Sequence, residues 1–197
     1  MALFARRENP PVQSNYREYK PFLRTDFRAR CAYCERTEEY MGGDEVFEVE
    51  HFKPKSKFPD LTCTYPNLYY VCRKCNGYKS ETWPSEDQIA RGQRFADPCV
   101  EDPYVHHLRE REDGGVEVLT ECGAYSSSHI RLARPTLRGW RRLRNEARRD
   151  LPLLTAVARA LEQFVAVSEG SDRADATERL GALRRRIEES KRRFSIE

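Results

Sequence analysis

Two C-x-x-C units constrain this chain more than any other feature: CAYC at residues 31–34 and CRKC at residues 72–75. Four thiolates at this spacing can hold one tetrahedral zinc ion with no coordination position left for water or substrate. Such an ion stabilises the fold and does not activate a water molecule or a substrate. The spacing therefore predicts a structural zinc, and its four ligands are Cys31, Cys34, Cys72 and Cys75.

Independent redox pairs and buried thiols are the alternatives for these four cysteines. The other three of the seven cysteines, Cys63, Cys99 and Cys122, are isolated and are expected to be small buried hydrophobes. The first residues lack a long apolar stretch and no apolar run could span a bilayer, so we expect a cytoplasmic protein without a secretory signal. In that reducing compartment, paired cysteines indicate metal ligands before disulfides.

The length of 197 residues indicates one domain, or a small domain with a second lobe. The charge is uneven along it. Residues 1–130 hold 18 basic and 22 acidic residues, and residues 131–197 hold 17 and 10. The first part thus has a net charge of −4 and the second +7, so a polyanion would be attracted chiefly by the C-terminal third.

Between and after the cysteine pairs, other chemistry-bearing residues occur in a fixed order. They are Glu50-His51, then Asn67-Leu68, then Cys75-Asn76 with Lys79. This order resembles the zinc-bearing HNH endonucleases, in which an acidic residue and histidine follow the first C-x-x-C unit. Asn-Leu comes next, and the second C-x-x-C unit is followed by His or Asn and a Lys. The resemblance covers residues 31–80.

The hydrophobic pattern agrees with that resemblance. Residues 46–50 alternate apolar and acidic side chains, as a half-buried strand does, and residues 68–71 can form the return strand. A helix is expected from Cys75 onward. The expected fold class is α+β: a zinc-stapled ββα-metal (HNH) core with a mainly helical C-terminal region.

The resemblance implies a role for each residue of the motif. His51 would deprotonate the attacking water, and Glu50 and Asn76 would bind one Mg²⁺ or Mn²⁺ ion. Asn67 would hold the loop that orients His51, and Lys79 would contact a phosphate. These roles imply hydrolysis of phosphodiester bonds in DNA.

Two positions depart from the commonest family pattern. Glu50 stands where Asp is more frequent, so the ion would shift or the helix would lie further away. Glu48, on the same strand face, is a possible substitute ligand. Asn76 stands where His also occurs; its oxygen favours Mg²⁺ or Mn²⁺ over zinc. Each residue could also be structural, and Asn76 could simply cap a helix.

Two other functions remain open from the sequence. A non-catalytic zinc module that binds nucleic acid or protein would keep the cysteines without needing Glu50 and His51 together. A ribonuclease is the third possibility. Lys53, Lys55 and Lys57 are expected to form a solvated loop, although one lysine beside the site could touch a phosphate backbone.

The remaining chain is predicted to hold a short helix at 86–93, a hairpin at 106–119 turning at Asp113-Gly114-Gly115, and two helices. The first starts at Pro135 and is kinked or split at Pro152; the second covers residues 173–193. Eight arginines between 131 and 149 suggest a phosphate-backbone track that includes Arg138, Arg141 and Arg142. A solvated helix face or a partner surface is the alternative.

A closer resemblance is carried by CAYCE, VEHFKPKS and NLYYVCRKCNGYKS. These strings are similar to stand-alone bacterial HNH proteins of anti-phage systems, such as the PtuB subunits of Septu systems and the HNH partners of some retrons. The resemblance implies an effector nuclease that works with an ATPase or another sensor subunit. We expect residues 1–95 to form an HNH nuclease domain with an N-terminal helical approach and the zinc site. Residues 96–197 are expected to form a hairpin and a basic helical region that binds DNA or a partner.

Overall fold

The computed structural model describes residues 2–196. The chain divides into two compact units, Met1–Arg141 and Arg142–Glu197. The first unit contains, in chain order, α1 (Lys20–Asp26), α2 (Glu38–Met41), β1 (Phe47–His51), β2 (Leu68–Cys72), α3 (Arg73–Lys79), α4 (Glu86–Ala90), α5 (Pro103–His106), β3 (Leu108–Glu110), β4 (Val116–Val118) and α6 (Glu121–Ile130). Helix α7 (Pro135–Val167) begins in the first unit and continues into the second, which also contains α8 (Gly170–Phe194).

The centre of the first unit is an antiparallel strand pair that leads into a helix. Phe47 of β1 lies opposite Cys72 of β2, and His51 lies opposite Leu68. Helix α3 follows β2 without a connecting residue. Every residue of β2 is buried, because its two faces pack against different elements. This β1–β2–α3 arrangement confirms the predicted α+β fold class and ββα core.

Aromatic side chains supply much of the core around this motif. The rings of Phe47 and Tyr70 stack with centroids 4.8 Å apart, and Phe27 packs against Tyr69 at 5.5 Å. Phe4 in turn packs on Phe27 at 5.0 Å. Because these rings come from the N-terminal segment, from Phe27 directly after α1 and from both strands, they fix the position of the strand pair that carries Glu50 and His51.

The elements of the first unit differ from the predictions at their edges, and the short helices α2 and α5 were not predicted. Helix α3 begins at Arg73, before Cys75, and α4 ends at Ala90. The predicted hairpin is present as β3 and β4. Helix α6 was not predicted. Thr120 caps it, and Gly123 lies so close to the His107 carbonyl that a side chain there would clash.

The second unit is a helical hairpin. Helix α7 continues through Pro152 as one helix, so of the predicted kink or split the split is wrong, and α8 begins three residues earlier than expected. Leu151 and Ala158 of α7 and Leu180 and Ile187 of α8 form its small apolar core. Within residues 2–196, no helix is both long and apolar enough to cross a membrane.

Candidate active site and metal centre

The four cysteines of the two C-x-x-C units converge on one buried point. Their sulfur atoms all lie within 4.8 Å of one another, and the Cys34 and Cys72 sulfurs are 3.9 Å apart. Four sulfurs at about 2.3 Å from a tetrahedral zinc ion would be separated by about 3.8 Å. All four side chains are fully buried. The cluster therefore has the donor set, spacing and enclosure of a structural zinc site.

Local backbone bonds position the two halves of this cluster. Cys72 ends β2 and Cys75 lies in the first turn of α3. The loop that carries Cys31 and Cys34 is closed by the Cys31 N–H, which donates to the Arg36 carbonyl at 3.0 Å. The Ala32 N–H then donates to the Tyr70 carbonyl of β2 at 2.9 Å. A metal bound here would join the loop to the strand–helix junction.

Two arginines stand against the thiol cluster. Arg134 Nη2 lies 3.1 Å from the Cys75 sulfur, and Arg36 Nη2 lies 4.0 Å from the Cys72 sulfur. Zinc with four thiolates carries a net charge of −2, and burial of that charge is costly unless it is balanced. The two guanidinium groups supply the balancing charge. Arg134 thus belongs to the cysteine cluster rather than to an exposed basic face.

A cleft of about 340 Å³ opens beside β1 and α3. Glu48, Glu50 and His51 line it from the strand, and Asn76 lines it from the helix. The ββα geometry therefore brings together the acidic residues, histidine and asparagine of the sequence motif. Tyr16, from the short helical turn Tyr16–Tyr19, also lines the cleft.

His51 is held in one tautomer at the end of β1. Its Nε2 lies 3.0 Å from the Thr62 carbonyl oxygen. A carbonyl can only accept, so Nε2 carries the proton and the Nδ1 lone pair of the neutral ring is available. Burial lowers the pKa of His51 below its usual value, which favours the neutral form. The Tyr16 ring packs edge-on against the imidazole, with centroids 4.6 Å apart.

Asn67 fixes the loop that leaves β1 after His51. Its side-chain oxygen accepts from the Lys53 N–H at 2.8 Å, and its amide nitrogen donates to the Lys53 carbonyl at 3.0 Å. The same amide group also donates to the Leu61 carbonyl at 3.3 Å, next to the Thr62 carbonyl that holds the imidazole. Through these three bonds, the Asn67 side chain connects the backbone at Lys53 to the backbone at Leu61.

Glu50 forms a buried ion pair with Lys79. Lys79 Nζ lies 2.5 Å from one Glu50 oxygen, and the Tyr33 hydroxyl donates to the other at 2.7 Å. Lys79 Nζ also donates to the His51 carbonyl at 3.1 Å. The Lys79 side chain is 0% exposed, so its ammonium is not available to a phosphate. Because it is buried, Lys79 does not make the predicted phosphate contact. It holds β1 to α3 instead.

Removing the Lys79 ammonium should destabilise the first unit. Lys79→Met leaves the buried Glu50 carboxylate without its counter-charge, and breaking a buried pair in this way costs about 3–5 kcal/mol. Denaturant unfolding of the zinc-loaded protein measures the change. Lys74→Met, on the exposed side of the same helix, is the matched control and should cost little. Equal stability of the two variants would contradict the assignment.

Asn76 is joined to Glu48 rather than to Glu50. Its side-chain amide nitrogen donates to one Glu48 oxygen at 2.7 Å, and Arg73 Nε donates to the other at 3.0 Å. With its nitrogen committed to Glu48, the Asn76 side-chain oxygen remains as a ligand atom. Glu48, which the sequence offered only as a substitute ligand, is therefore a direct neighbour of Asn76.

The cleft has the donors that a hard divalent cation prefers. Glu48, Glu50 and Asn76 line one cleft, and the oxygen ligands that their side chains offer suit Mg²⁺ and Mn²⁺. Each carboxylate oxygen already accepts one hydrogen bond but has a second lone pair. The residues present thus fit such an ion.

The arginines predicted to contact DNA lie in different environments. Arg138 is exposed but bonded to Asp113 at 2.5 Å, whereas Arg142 is exposed and pairs with Glu146 at 3.7 Å. Arg141 is fully buried and donates to the Tyr104 hydroxyl at 3.2 Å. A buried guanidinium cannot line an exposed track, so Arg141 has a structural position.

Sequence reasoning missed two tyrosines of the site. Tyr33 lies between Cys31 and Cys34, where its position in the CAYC string gave no sign of a bond to Glu50. Burial raises the pKa of Tyr33 far above its usual value, so its hydroxyl stays protonated and donates. Tyr16 is separated from His51 by 34 intervening residues, and no local pattern connects them.

Comparison with known proteins agrees with this geometry. Residues 31–82 match the family model described as HNH endonuclease. This segment is an HNH domain. It contains the cysteine cluster, both strands, α3 and every motif residue of the cleft. Tyr16 lies outside it.

The chain is also similar to two proteins named Septu protein PtuB. The one from Bacillus thuringiensis is 35% identical over 78 residues, which are 39% of this chain and 27% of that protein. The one from Bacillus mycoides (strain KBAB4) is 26% identical over 122 residues, 50% of this chain and 40% of that protein. The matched regions therefore span less than half of either relative. No solved structure gives a significant match.

Proposed function

We propose that this chain is a metal-dependent HNH endonuclease that hydrolyses phosphodiester bonds in DNA. The observation that carries the proposal is the common cleft, which is lined by His51, with Nε2 bonded to a carbonyl and Nδ1 left unprotonated, and by Glu48, Glu50 and Asn76. A general base next to a hard-cation site is the combination that water attack on a phosphodiester needs.

In the proposed reaction, His51 Nδ1 takes a proton from the attacking water. The Thr62 carbonyl keeps the ring in the required tautomer and stabilises the imidazolium that forms. Glu50 and Asn76 would hold a Mg²⁺ or Mn²⁺ ion, with Glu48 as a further ligand. When bound, such an ion stabilises the charge that builds on the phosphate and on the leaving oxygen. Asn67 keeps the loop after β1 in place.

The cysteine cluster has a separate role in this proposal. Zinc bound by Cys31, Cys34, Cys72 and Cys75 has no open position, so it takes no part in the chemistry. Its function is to hold α3 against the strand pair. Four thiolates in a metal site are kept in a reducing compartment, and we propose that the protein acts in the cytoplasm.

Residues outside the cleft would bind the substrate and the partners. Arg138 and Arg142 are exposed arginines through which the basic C-terminal region would contact the DNA backbone. The similarity to Septu PtuB proteins supports a role as the effector nuclease of an anti-phage system. An ATPase or another sensor subunit would then direct its activity. The division into a nuclease region, residues 1–95, and a DNA- or partner-binding region, residues 96–197, stays a prediction.

Cleavage of DNA by the zinc-loaded protein with Mg²⁺ or Mn²⁺ tests the proposal, with RNA digested beside it and His51→Ala as the inactive variant. A non-catalytic zinc module would cut neither polymer, and His51→Ala would behave as the wild type in every assay. A ribonuclease would cut only RNA. Cleavage of DNA that needs both the divalent ion and His51 is the expected result.

A further inference from the structure

The active-site cleft continues into a second cavity that Glu50 and His51 do not line. This second cavity has a volume of about 410 Å³ and shares Tyr16, Glu48, Val49 and Asn76 with the first. The two cavities therefore form one groove along β1. Lys55 lines the part near His51, whereas Arg17 and Lys20 line the other part.

Tyr16 stands where the two parts of the groove meet, and two cations lie against its ring. Lys55 Nζ is 5.1 Å from the ring centroid and Arg17 Cζ is 5.5 Å from it. Within residues 2–196, neither side chain has a carboxylate partner, and both are exposed. Lys20 differs, because its ammonium donates to the Asp44 carbonyl at 2.8 Å.

Two of the three glutamates of the groove are paired with other cations. Glu50 is paired with the buried Lys79, and Glu48 is paired with Arg73. Glu81, at the edge of the cleft, is the third glutamate that lines it. The wall formed by Tyr16 and its two cations thus carries two positive charges in the groove.

We propose that Tyr16, Arg17 and Lys55 form a phosphate-binding wall that holds one strand of the nucleic-acid substrate along this groove. Arg17 and Lys55 contact phosphates on the two sides of the scissile one, and the Tyr16 ring keeps both cations in place. The inference rests on the proposed nuclease function, because it assigns the substrate path to that same cleft.

The test is a binding measurement that does not depend on cleavage. All proteins carry His51→Ala, so that a fluorescently labelled DNA strand is bound but not cut. Anisotropy titrations at several salt concentrations compare this protein with one that also carries Arg17→Ala and Lys55→Ala. The matched control carries Lys57→Ala and Lys74→Ala instead, which removes the same charge from exposed residues outside the groove.

Loss of the wall should weaken binding at least tenfold at low salt. The slope of log K against log salt should become shallower by about two, one for each phosphate contact. The control should keep the slope near that of the reference protein. Tyr16→Phe should bind normally and Tyr16→Ala weakly, since the ring and not the hydroxyl holds the cations.

Three outcomes would overturn the inference: unchanged binding by the Arg17/Lys55 variant, an equal loss in the Lys57/Lys74 control, or no DNA binding by the reference protein. If the wild-type protein cuts DNA but the Arg17/Lys55 variant binds DNA normally, the phosphate-binding wall is refuted and the nuclease activity is supported. If the salt dependence of binding changes as expected but the wild-type protein cuts no DNA, the nuclease activity is refuted and the phosphate-binding wall is supported. Zinc content and tryptophan fluorescence establish that each variant is folded.

Discussion

Replacing His51 with alanine is expected to lower the rate of DNA cleavage by about 10²- to 10⁴-fold, the usual contribution of a positioned general base. His51 Nε2 donates to the Thr62 carbonyl, so the Nδ1 lone pair is the only basic nitrogen that can take the proton of the attacking water. A bound divalent ion would still polarise the phosphate, which accounts for residual cleavage. Rates under single-turnover conditions measure the loss.

The fold should survive this substitution. His51 terminates β1, but its backbone pairing with Leu68 is retained in alanine, and the cysteine cluster is not touched. His106→Ala is the matched control, because His106 is exposed and lies outside the cleft. Wild-type cleavage by His51→Ala, or an equal loss in His106→Ala, would show that the imidazole is not the base.

Replacing Cys75 with serine should prevent the first unit from folding. Structural zinc sites of four cysteines contribute about 10–16 kcal/mol of apparent binding free energy, which equals or exceeds the whole stability of a typical domain. Both tryptophans of the chain, Trp83 and Trp140, lie in the first unit. Tryptophan fluorescence therefore reports on this unit, and the variant should show the emission of exposed indoles and bind no stoichiometric zinc.

Cys63→Ser is the control for this experiment. Cys63 lies outside the cluster and donates only to the Ser14 carbonyl, at 3.2 Å. The Cys63→Ser protein should keep the zinc content, the fluorescence and the unfolding midpoint of the wild type. A folded Cys75→Ser protein with native fluorescence and no zinc would show that the four thiols are not the structural staple of the unit.

The parts of the fold that the sequence predicts are those that local patterns specify. The C-x-x-C spacing brings Cys72 and Cys75 to one strand–helix junction, and the alternation in residues 46–50 sets the face of Glu48 and Glu50. Two antiparallel strands followed by a helix then bring Glu50, His51 and Asn76 together. Each of these features depends on neighbours within a few residues of each other.

The parts that the sequence did not reveal depend on tertiary burial. Lys79 resembles a surface phosphate ligand until the structure shows its ammonium bonded to the Glu50 carboxylate and the His51 carbonyl. Arg141 resembles a member of a basic track until the structure places it against Tyr104. Charge and spacing do not distinguish a buried, satisfied cation from an exposed one, because the partners come from distant parts of the chain.

Helix α6 was missed for a different reason. Its sequence, ECGAYSSSHI, has small and hydroxyl residues of modest helix propensity and only a weak apolar stripe. Tertiary contacts stabilise it: the Thr120 cap begins it, and the Ser126 hydroxyl accepts from the Ala96 N–H at 2.9 Å. Packing thus overrides a local signal that is poor for a helix.

Binding of Mn²⁺ to the zinc-loaded protein, followed by electron paramagnetic resonance, tests the central claim most directly. The wild type should bind one Mn²⁺ in the cleft, and Asn76→Ala should weaken that binding at least tenfold while leaving zinc content and fluorescence unchanged, since the variant loses an oxygen ligand on α3. A wild-type protein that binds no Mn²⁺, or an Asn76→Ala protein that binds it as tightly, would contradict the claim that this cleft is a catalytic metal site.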